Sequence, residues 1–129
     1  MNVPENLFYT KEHEWARIEG DTAVFGLSDY AQGQLSDIVY LDMPQVGKAV
    51  KQFEVYGAVE AVMAASDIYA PFSGEVIGVN DAVTGDPGLV NRDPYGEGWL
   101  VKVRITDPNE KANLMTAADY SAYIATLEH

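Results

Sequence analysis

The sequence contains no cysteine and only two histidines, His13 and His129. Without thiols, the chain cannot form a disulfide framework, a zinc ribbon, an iron–sulfur cluster or a cysteine nucleophile. A triad that uses histidine as its base would depend on His13, which lies between Glu12 and Glu14 and is better explained as a partly exposed side chain beside acids. No serine stands in a G-x-S-x-G context. We therefore expect this protein to have no catalytic residue and not to be an enzyme.

Motifs for metals and nucleotides are also missing. The many carboxylates form neither a D-x-D-x-D-G loop nor an H-E-x-x-H helix, so we predict no metal site. The segment Gly96-Glu97-Gly98 lacks the third glycine and the strand-to-helix setting of a dinucleotide fingerprint. No Walker-type lysine follows any glycine loop. We expect this glycine segment to form a tight turn.

Basic residues are scarce: eight Lys and Arg stand against twenty Asp and Glu, giving a formal net charge of -12. A negative field repels phosphate backbones, so we expect no nucleic-acid partner. The charge serves solubility or steers the chain toward basic protein surfaces, and composition does not separate the two. Residues 1–10 hold no apolar run of signal-peptide length, and no run reaches the length of a membrane span. We predict a cytoplasmic protein, with a mature organellar form as the alternative.

Short runs of β-branched and aromatic residues, separated by turn-forming residues, predict a mainly β chain. The predicted strands cover residues 14–19, 22–27, 37–41, 53–62, 67–71, 75–79 and 99–105. Gly20 between the first two predicts a hairpin turn, because glycine supplies positive φ. Residues 44–47, 80–88 and 91–98 are predicted loops. A chain of 129 residues fits one domain, here residues 1–129.

Two helices are predicted. Ser28 is a suitable N-cap for a short helix that ends by Gly33 or Leu35. The second helix lies within a C-terminal segment of residues 107–129, where Thr116 and Asp119 resemble a capping box. Its apolar positions recur at spacings of three and four, which predicts an amphipathic helix packed on the sheets. These positions are Leu114, Ala118, Tyr120, Tyr123, Ile124 and Leu127.

Residues 59–76 read VEAVMAASDIYAPFSGEV. This segment resembles the lipoyl hairpin of the glycine cleavage H-protein family, in which Glu-Ser-Val-Lys-Ala-Ala-Ser-Asp forms a strand, an exposed turn carrying lysine, and the returning strand. Other family-like segments occur in the expected order at residues 9–15, 26–32 and 89–99. Because four separate motifs agree in order and spacing, the sequence is identified as a member of this family.

The resemblance implies a barrel-sandwich hybrid of two antiparallel sheets, like lipoyl and biotinyl carriers, with short peripheral helices and a C-terminal helix. The hairpin of residues 53–76 would carry the modification-site turn. Family members use a lipoyl arm to shuttle an aminomethyl group among glycine decarboxylase, aminomethyltransferase and dihydrolipoyl dehydrogenase. They shelter the loaded arm in an acidic cleft, to which Glu14 and Asp67 correspond. Glu12 occupies a position that is often serine, which predicts a more acidic cleft here.

Met63 stands where the family has its lipoylated lysine. A thioether has no amine and cannot form the amide that holds lipoate. The five lysines, which lie elsewhere, offer no substitute on the same turn; they are Lys11, Lys48, Lys51, Lys102 and Lys111. We therefore expect no lipoate on this chain and predict a form that docks but carries nothing. The methionine is explained as a natural loss, as an engineered block of lipoylation, or as a residue with its own redox or packing role.

A different class of function stays open. The chain would then be an H-like scaffold or a lipoate-related protein of another pathway, such as sulfur oxidation or protein lipoylation. The partners implied by the resemblance are the three glycine-cleavage enzymes together with a lipoate ligase or lipoyltransferase. Binding to those enzymes distinguishes the two hypotheses.

Overall fold

The computed structural model describes residues 1–127, so Glu128 and His129, at the end of the predicted C-terminal segment, lie outside the described residues. Within residues 1–127, nine strands form two antiparallel sheets, with order β1-β2-β3-β9-β8-β5 in the larger and β4-β6-β7 in the smaller. The strands are β1 Phe8–Tyr9, β2 Glu14–Glu19, β3 Thr22–Leu27, β4 Ile38–Asp42, β5 Ala49–Val50, β6 Val55–Ala61, β7 Ala65–Tyr69, β8 Gly74–Val79 and β9 Val101–Ile105. The predicted architecture of two antiparallel sheets with short helices is confirmed.

The predicted strands are present, and β2 and β3 have their predicted bounds. Gly20 between them has φ +66, the conformation that its turn requires. The other five predicted strands begin or end one or two residues away from the prediction. The two-residue strands β1 and β5 were not predicted, because so short a run has no detectable alternation. The hairpin was predicted to span residues 53–76, but it consists only of β6 and β7. Strand β8 pairs instead with β5 and β9 of the larger sheet.

The helix α1, Asp29–Leu35, begins as predicted, because Ser28 Oγ accepts a hydrogen bond from Ala31 N at 3.1 Å. The C-terminal helix α4, Ala117–Leu127, is also present, and Thr116 Oγ1 accepts from Asp119 N at 3.2 Å. Leu114 was wrongly assigned to it, since this residue ends a 3₁₀ helix formed by residues Pro108–Asn113. In residues 1–127, no helix is both long and apolar enough to cross a membrane.

The predicted loops at residues 80–88 and 91–98 are partly wrong. This region contains α2, Asp81–Gly85, and α3, Gly88–Arg92. Asn80 caps α2 by accepting a hydrogen bond from Ala82 N at 3.1 Å. The glycines, Asn and Asp here are typical of turns, but Val83 and Val90 are completely buried. Packing of these two side chains on the core stabilises helices that local propensity does not predict.

Apolar side chains from both sheets meet in one core. Phe25 and Val103 of the larger sheet belong to the same buried cluster as Val59 and Ile68 of the smaller sheet. A second cluster lies where α4 covers the larger sheet; its buried members are Leu7, Tyr9, Trp15, Val24, Tyr30, Ala117, Tyr120 and Ile124. The C-terminal helix is therefore an integral part of the packing around the start of β2.

Two glycines offer a matched test of this packing. A Cβ atom at Gly26 would lie 2.5 Å from Cε2 of Trp15, whereas one at Gly33 in α1 would meet nothing within 4 Å. We expect Gly26→Ala to lower the free energy of unfolding by about 1–3 kcal/mol through overpacking. Gly33→Ala should raise it by roughly 0.5–1 kcal/mol, because alanine favours the helix. Urea denaturation of both variants measures the difference, and equal effects would contradict this account of the Trp15 packing.

Candidate functional site

The turn between β6 and β7 is short and exposed. Ala61 N donates a hydrogen bond to the carbonyl oxygen of Ala64 at 2.7 Å, which leaves Val62 and Met63 as the two residues of the turn. Their exposed fractions are 68% and 75%. Val62 N also donates to the carbonyl oxygen of Asp37 at 2.9 Å, which holds the turn beside the start of β4. Met63 thus lies outside the core, at the tip of the hairpin.

The three acids predicted from the resemblance line one cleft. Glu12 lies in the turn before β2, Glu14 is the first residue of β2, and Asp67 comes from β7. The cleft has a volume of about 170 Å³. Its other walls come from the two sheets and α1 and consist of His13, Leu27, Ala31, Gln34, Leu35, Val59 and Ser66. The fold therefore brings residues separated by half the chain to one acidic depression.

Glu14 differs from its two acidic neighbours because its side chain is buried, with 1% of the residue exposed. Its carboxylate accepts a hydrogen bond from Thr10 Oγ1 and another from Tyr69 N, the latter at 3.1 Å. Burial raises the pKa of Glu14 to about 7; the Thr10 and Tyr69 hydrogen bonds oppose this rise and the charge of Glu12 adds to it. The buried carboxyl therefore keeps its proton to higher pH than an exposed glutamate does.

His13 is held by tyrosines at the edge of the cleft. Its Nδ1 lies 2.9 Å from Tyr120 Oη, which in turn lies 2.7 Å from Oγ of Ser28, the N-cap of α1. Burial lowers the pKa of His13, while the charge of Glu12 opposes this change. The histidine has a φ of 73, so its backbone is in the left-handed region. These contacts indicate a positioning role, in which α4 fixes the start of β2 and the start of α1.

Sequence reasoning missed the contribution of α1 to the cleft. Gln34 and Leu35 follow Ala31 by three and four residues, so the three side chains share the helix face that points toward β2 and β7. That spacing is visible in the sequence once the helix is predicted. The direction of the face is not visible, because it depends on how α1 packs against the sheets. Gln34 is the uncharged polar residue that this helix adds to the cleft.

A larger cavity of about 490 Å³ adjoins Glu12 and Glu14. Its walls come from the N-terminal segment, the base of the hairpin and the segment before α4; they include Tyr9, Phe53, Tyr69, Asn113 and Met115. This cavity was not predicted, since its walls are far apart along the chain. No group of three or more potential metal ligands is assembled anywhere in residues 1–127.

Two face-to-face antiparallel sheets, with an exposed turn projecting from the smaller one, define a domain of the lipoyl-carrier class. Residues 7–127 match the family model described as Glycine cleavage H-protein. The chain belongs to the glycine cleavage H-protein family, whose members are carrier proteins rather than enzymes. The family prediction made from the four motifs is therefore confirmed.

Individual relatives agree over nearly the whole length. The glycine cleavage system H protein of Halothermothrix orenii is 46% identical over 128 residues, which cover 99% of this chain and 100% of that protein. The H protein of Herpetosiphon aurantiacus is 50% identical over 123 residues, covering 95% and 94%. A crystal structure of the H protein from Mycobacterium marinum superposes with a TM-score of 0.88 at 36% identity, covering 95% of this chain and 99% of that one.

The buried carboxyl predicts a particular dependence of stability on pH. The folded-state pKa of Glu14, about 7, lies above its ordinary value of 4.5, so its stabilising contribution is complete below 4.5 and is lost as pH rises through 7. Glu14→Gln removes this loss. Relative to the parent, we expect its free energy of unfolding to increase by roughly 2–3 kcal/mol between about pH 5 and pH 8.

Urea denaturation at both pH values measures this change. Glu5→Gln is a matched control, because Glu5 is exposed. Its free energy of unfolding should differ from that of the parent by the same amount at both pH values. A Glu14→Gln curve that runs parallel to the parent would show that this carboxyl titrates normally.

Proposed function

We propose that this chain is a member of the glycine cleavage H-protein family that docks onto the enzymes of the system but cannot act as their lipoyl carrier. One observation carries the proposal. Met63 is 75% exposed at the tip of the β6–β7 hairpin, and the resemblance of the hairpin sequence aligns it with the family's lipoylated lysine. The surrounding hairpin, cleft and helices are present, so the loss is confined to the attachment chemistry.

The residues at the turn do not fit lipoate. Its attachment requires a nucleophilic amine, and the Met63 thioether cannot form an amide. No lysine lies between Val55 and Tyr69, the outer bounds of β6 and β7. Lys102 lies on β9, with its Nζ 3.6 Å from Glu19, and the Lys111 ammonium lies 5.2 Å from the centre of the Phe8 ring. We therefore assign no lipoate to this chain.

Glu12, Glu14 and Asp67 are proposed as the acidic cleft that in the family shelters the loaded arm. Glu12 and Asp67 have exposed carboxylates, which suit a cationic amine, whereas Glu14 is buried beneath them. Because this chain has no tethered arm, we propose that its cleft takes no part in group transfer. Residues 1–129 are proposed to act as one lipoyl-type domain, with the modification-site turn within residues 53–76 and a helical segment at 107–129.

The proposed partners are glycine decarboxylase, aminomethyltransferase and dihydrolipoyl dehydrogenase, together with a lipoate ligase or lipoyltransferase that would recognise the hairpin. A cytoplasmic location stays a prediction. The intact segment Ala64-Ala65-Ser66-Asp67 beyond the tip supports recent loss or deliberate replacement of the lysine. A natural paralogue and an engineered form make the same biochemical predictions.

The docking part of the proposal predicts competition. In an assay of glycine decarboxylase with a separate lipoylated H protein as carrier, this chain should raise the apparent KM for the carrier and leave kcat unchanged. Alone, it should support no turnover. An unrelated protein of similar negative charge is the control for non-specific effects. Unchanged kinetics at a large excess of the chain would remove the docking claim and favour a scaffold in another pathway.

The proposed loss of lipoate attachment predicts that a single substitution restores it. Incubated with lipoic acid, ATP and a lipoate ligase, Met63→Lys should gain one lipoyl mass, because the amine returns to an exposed turn. The parent should gain none, and neither should Met63→Arg, which carries a similar charge without an acylable amine. Intact mass spectrometry followed by peptide mapping reads the result. Lipoylation of the parent chain would contradict the proposal.

A further inference from the structure

Glu14 lies between two cavities. It lines the acidic cleft of about 170 Å³ and also the larger cavity of about 490 Å³. The other residue common to both sets of walls is Glu12, which is exposed. Beyond these two acids, the cleft is bounded mainly by α1 and the two sheets, whereas the larger cavity is bounded by the base of the hairpin and the segment before α4. The buried carboxyl is therefore part of the partition between the two spaces.

The partition contains one hydrogen bond between the sheets. Tyr69 N of the smaller sheet donates to Glu14 Oε2 of the larger sheet at 3.1 Å. The next amide, Ala70 N, donates toward β6, to the carbonyl oxygen of Glu54 at 2.9 Å. Because successive amides of a strand point to opposite sides, Tyr69 N points away from β6, and β6 is the strand that pairs with β7. The Glu14 carboxyl is thus the acceptor that this amide requires.

The end of β7 that carries Tyr69 is held less regularly than the rest of the hairpin. β7 is an edge strand, and its register with β6 shifts between Val55 and Gly57 of β6. A bulge of this kind interrupts the ladder of backbone hydrogen bonds. Glu14 therefore contacts β7 at the place where strand pairing is interrupted, and loss of this contact releases that end of β7 from the larger sheet.

The surroundings of Glu14 favour its neutral form. In residues 1–127 its carboxyl joins no ion pair. Titratable groups face it from every element packed around it; they are Lys11, Glu12, His13, Tyr56, Asp67, Tyr69 and Tyr120. Burial lowers the pKa of His13, so Lys11, which is exposed, is the one cation of this set at neutral pH. A buried carboxylate without a paired cation is costly compared with the neutral acid.

We propose that the Glu14 carboxyl and its hydrogen bond to Tyr69 N form a latch, which opens when the carboxyl loses its proton to solvent and thereby joins the two cavities into one. In the closed state, the neutral acid is buried and accepts the hydrogen bond. In the open state, water solvates the carboxylate and the end of β7 moves away from β2. The resemblance assigns Glu14 to a cleft that holds an amine, whereas the latch gives this side chain the task of positioning β7.

The direction of the pH dependence follows from the two states of the latch. Burial raises the pKa of Glu14 to about 7 in the closed state, whereas hydration in the open state returns it toward 4.5. Closure is therefore fully stabilised below 4.5, and this stabilisation is lost as pH rises through 7. The equilibrium constant for opening should increase about tenfold or more between about pH 5 and pH 8.

Amide hydrogen exchange of the whole chain measures the latch directly. The protection factor of Tyr69 N, corrected for the intrinsic pH dependence of exchange, should fall about tenfold or more between about pH 5 and pH 8. Ala70 N is the internal control, because its acceptor is a backbone carbonyl that does not titrate. Its protection should change by less than about threefold. Loss of protection by the same factor at both amides would indicate unfolding of the whole chain and overturn the proposal.

Two substitutions form a matched pair. In Glu14→Gln the side-chain carbonyl can still accept from Tyr69 N but does not titrate, so the protection of this amide should be independent of pH. Glu5→Gln removes an exposed acid outside both sets of walls and should show the parental pH dependence. Urea denaturation establishes that both variants fold. Parental pH dependence in Glu14→Gln would show that another group controls this end of β7.

The joining of the cavities has its own measurement. N-phenyl-1-naphthylamine is a neutral apolar dye whose fluorescence increases in apolar surroundings. The parent should bind it about threefold or more tightly at about pH 8 than at pH 5, because the joined cavity is larger, whereas Glu14→Gln should bind it equally at both. Equal binding by the parent at both pH values would contradict the joined cavity. These measurements use the chain alone, so their failure leaves the proposed docking function untouched.

Discussion

The carboxyl group of Glu14 is the contact that joins the two sheets where the cleft opens. It belongs to β2 of the larger sheet, accepts a hydrogen bond from Tyr69 N of β7 in the smaller sheet, and accepts another from Thr10 in the preceding segment. A buried carboxylate is costly unless it is hydrogen-bonded, so these two donors are required for the arrangement. Their geometry holds the hairpin beside the N-terminal segment and thereby defines both the acidic cleft and the adjoining cavity.

The proposed replacement of lysine by methionine at position 63 would be chemically large and structurally small. Backbone hydrogen bonds at Ala61 and Val62 form the turn, and the exposed side chain of Met63 adds nothing to the core. The fold can therefore tolerate lysine or methionine there with little effect on stability, since surface substitutions away from special contacts change it little. This separation of scaffold from attachment chemistry supports the proposal that the chain retains the H-protein fold without the amine of a carrier.

The positions of the charged residues show which acids are neutralised by bases and which are not. The excess of acids in the composition indicated either solubility or attraction to basic proteins. Composition alone did not distinguish these two explanations. In the fold, the basic residues Arg17, Lys102 and Arg104 neutralise acids on the larger sheet, while the acids of β4, β6 and β7 have no such partners in the described residues. The unneutralised acids lie beside the exposed Tyr40 and Val62, and this combination favours attraction to a basic protein surface.

The sequence by itself determined the features that depend on neighbouring residues. Runs of β-branched and aromatic residues predicted β2 and β3, Gly20 predicted their turn, Ser28 predicted the start of α1, and ordered motifs indicated the family. The proposal for Met63 also comes from sequence alone, because attachment chemistry would belong to one side chain. The proposed roles of Glu12, Glu14 and Asp67 stay predictions.

Only the tertiary structure decided the features that depend on contacts between distant segments. These include the single-turn helices α2 and α3, the burial of Glu14, the bulge that exposes Tyr40 and the cavity beside the cleft. Each results from packing of one segment against another, and local propensity is too weak to specify such contacts. The physical reason is the range of the interactions: caps and turns act over a few residues, whereas burial requires the whole core.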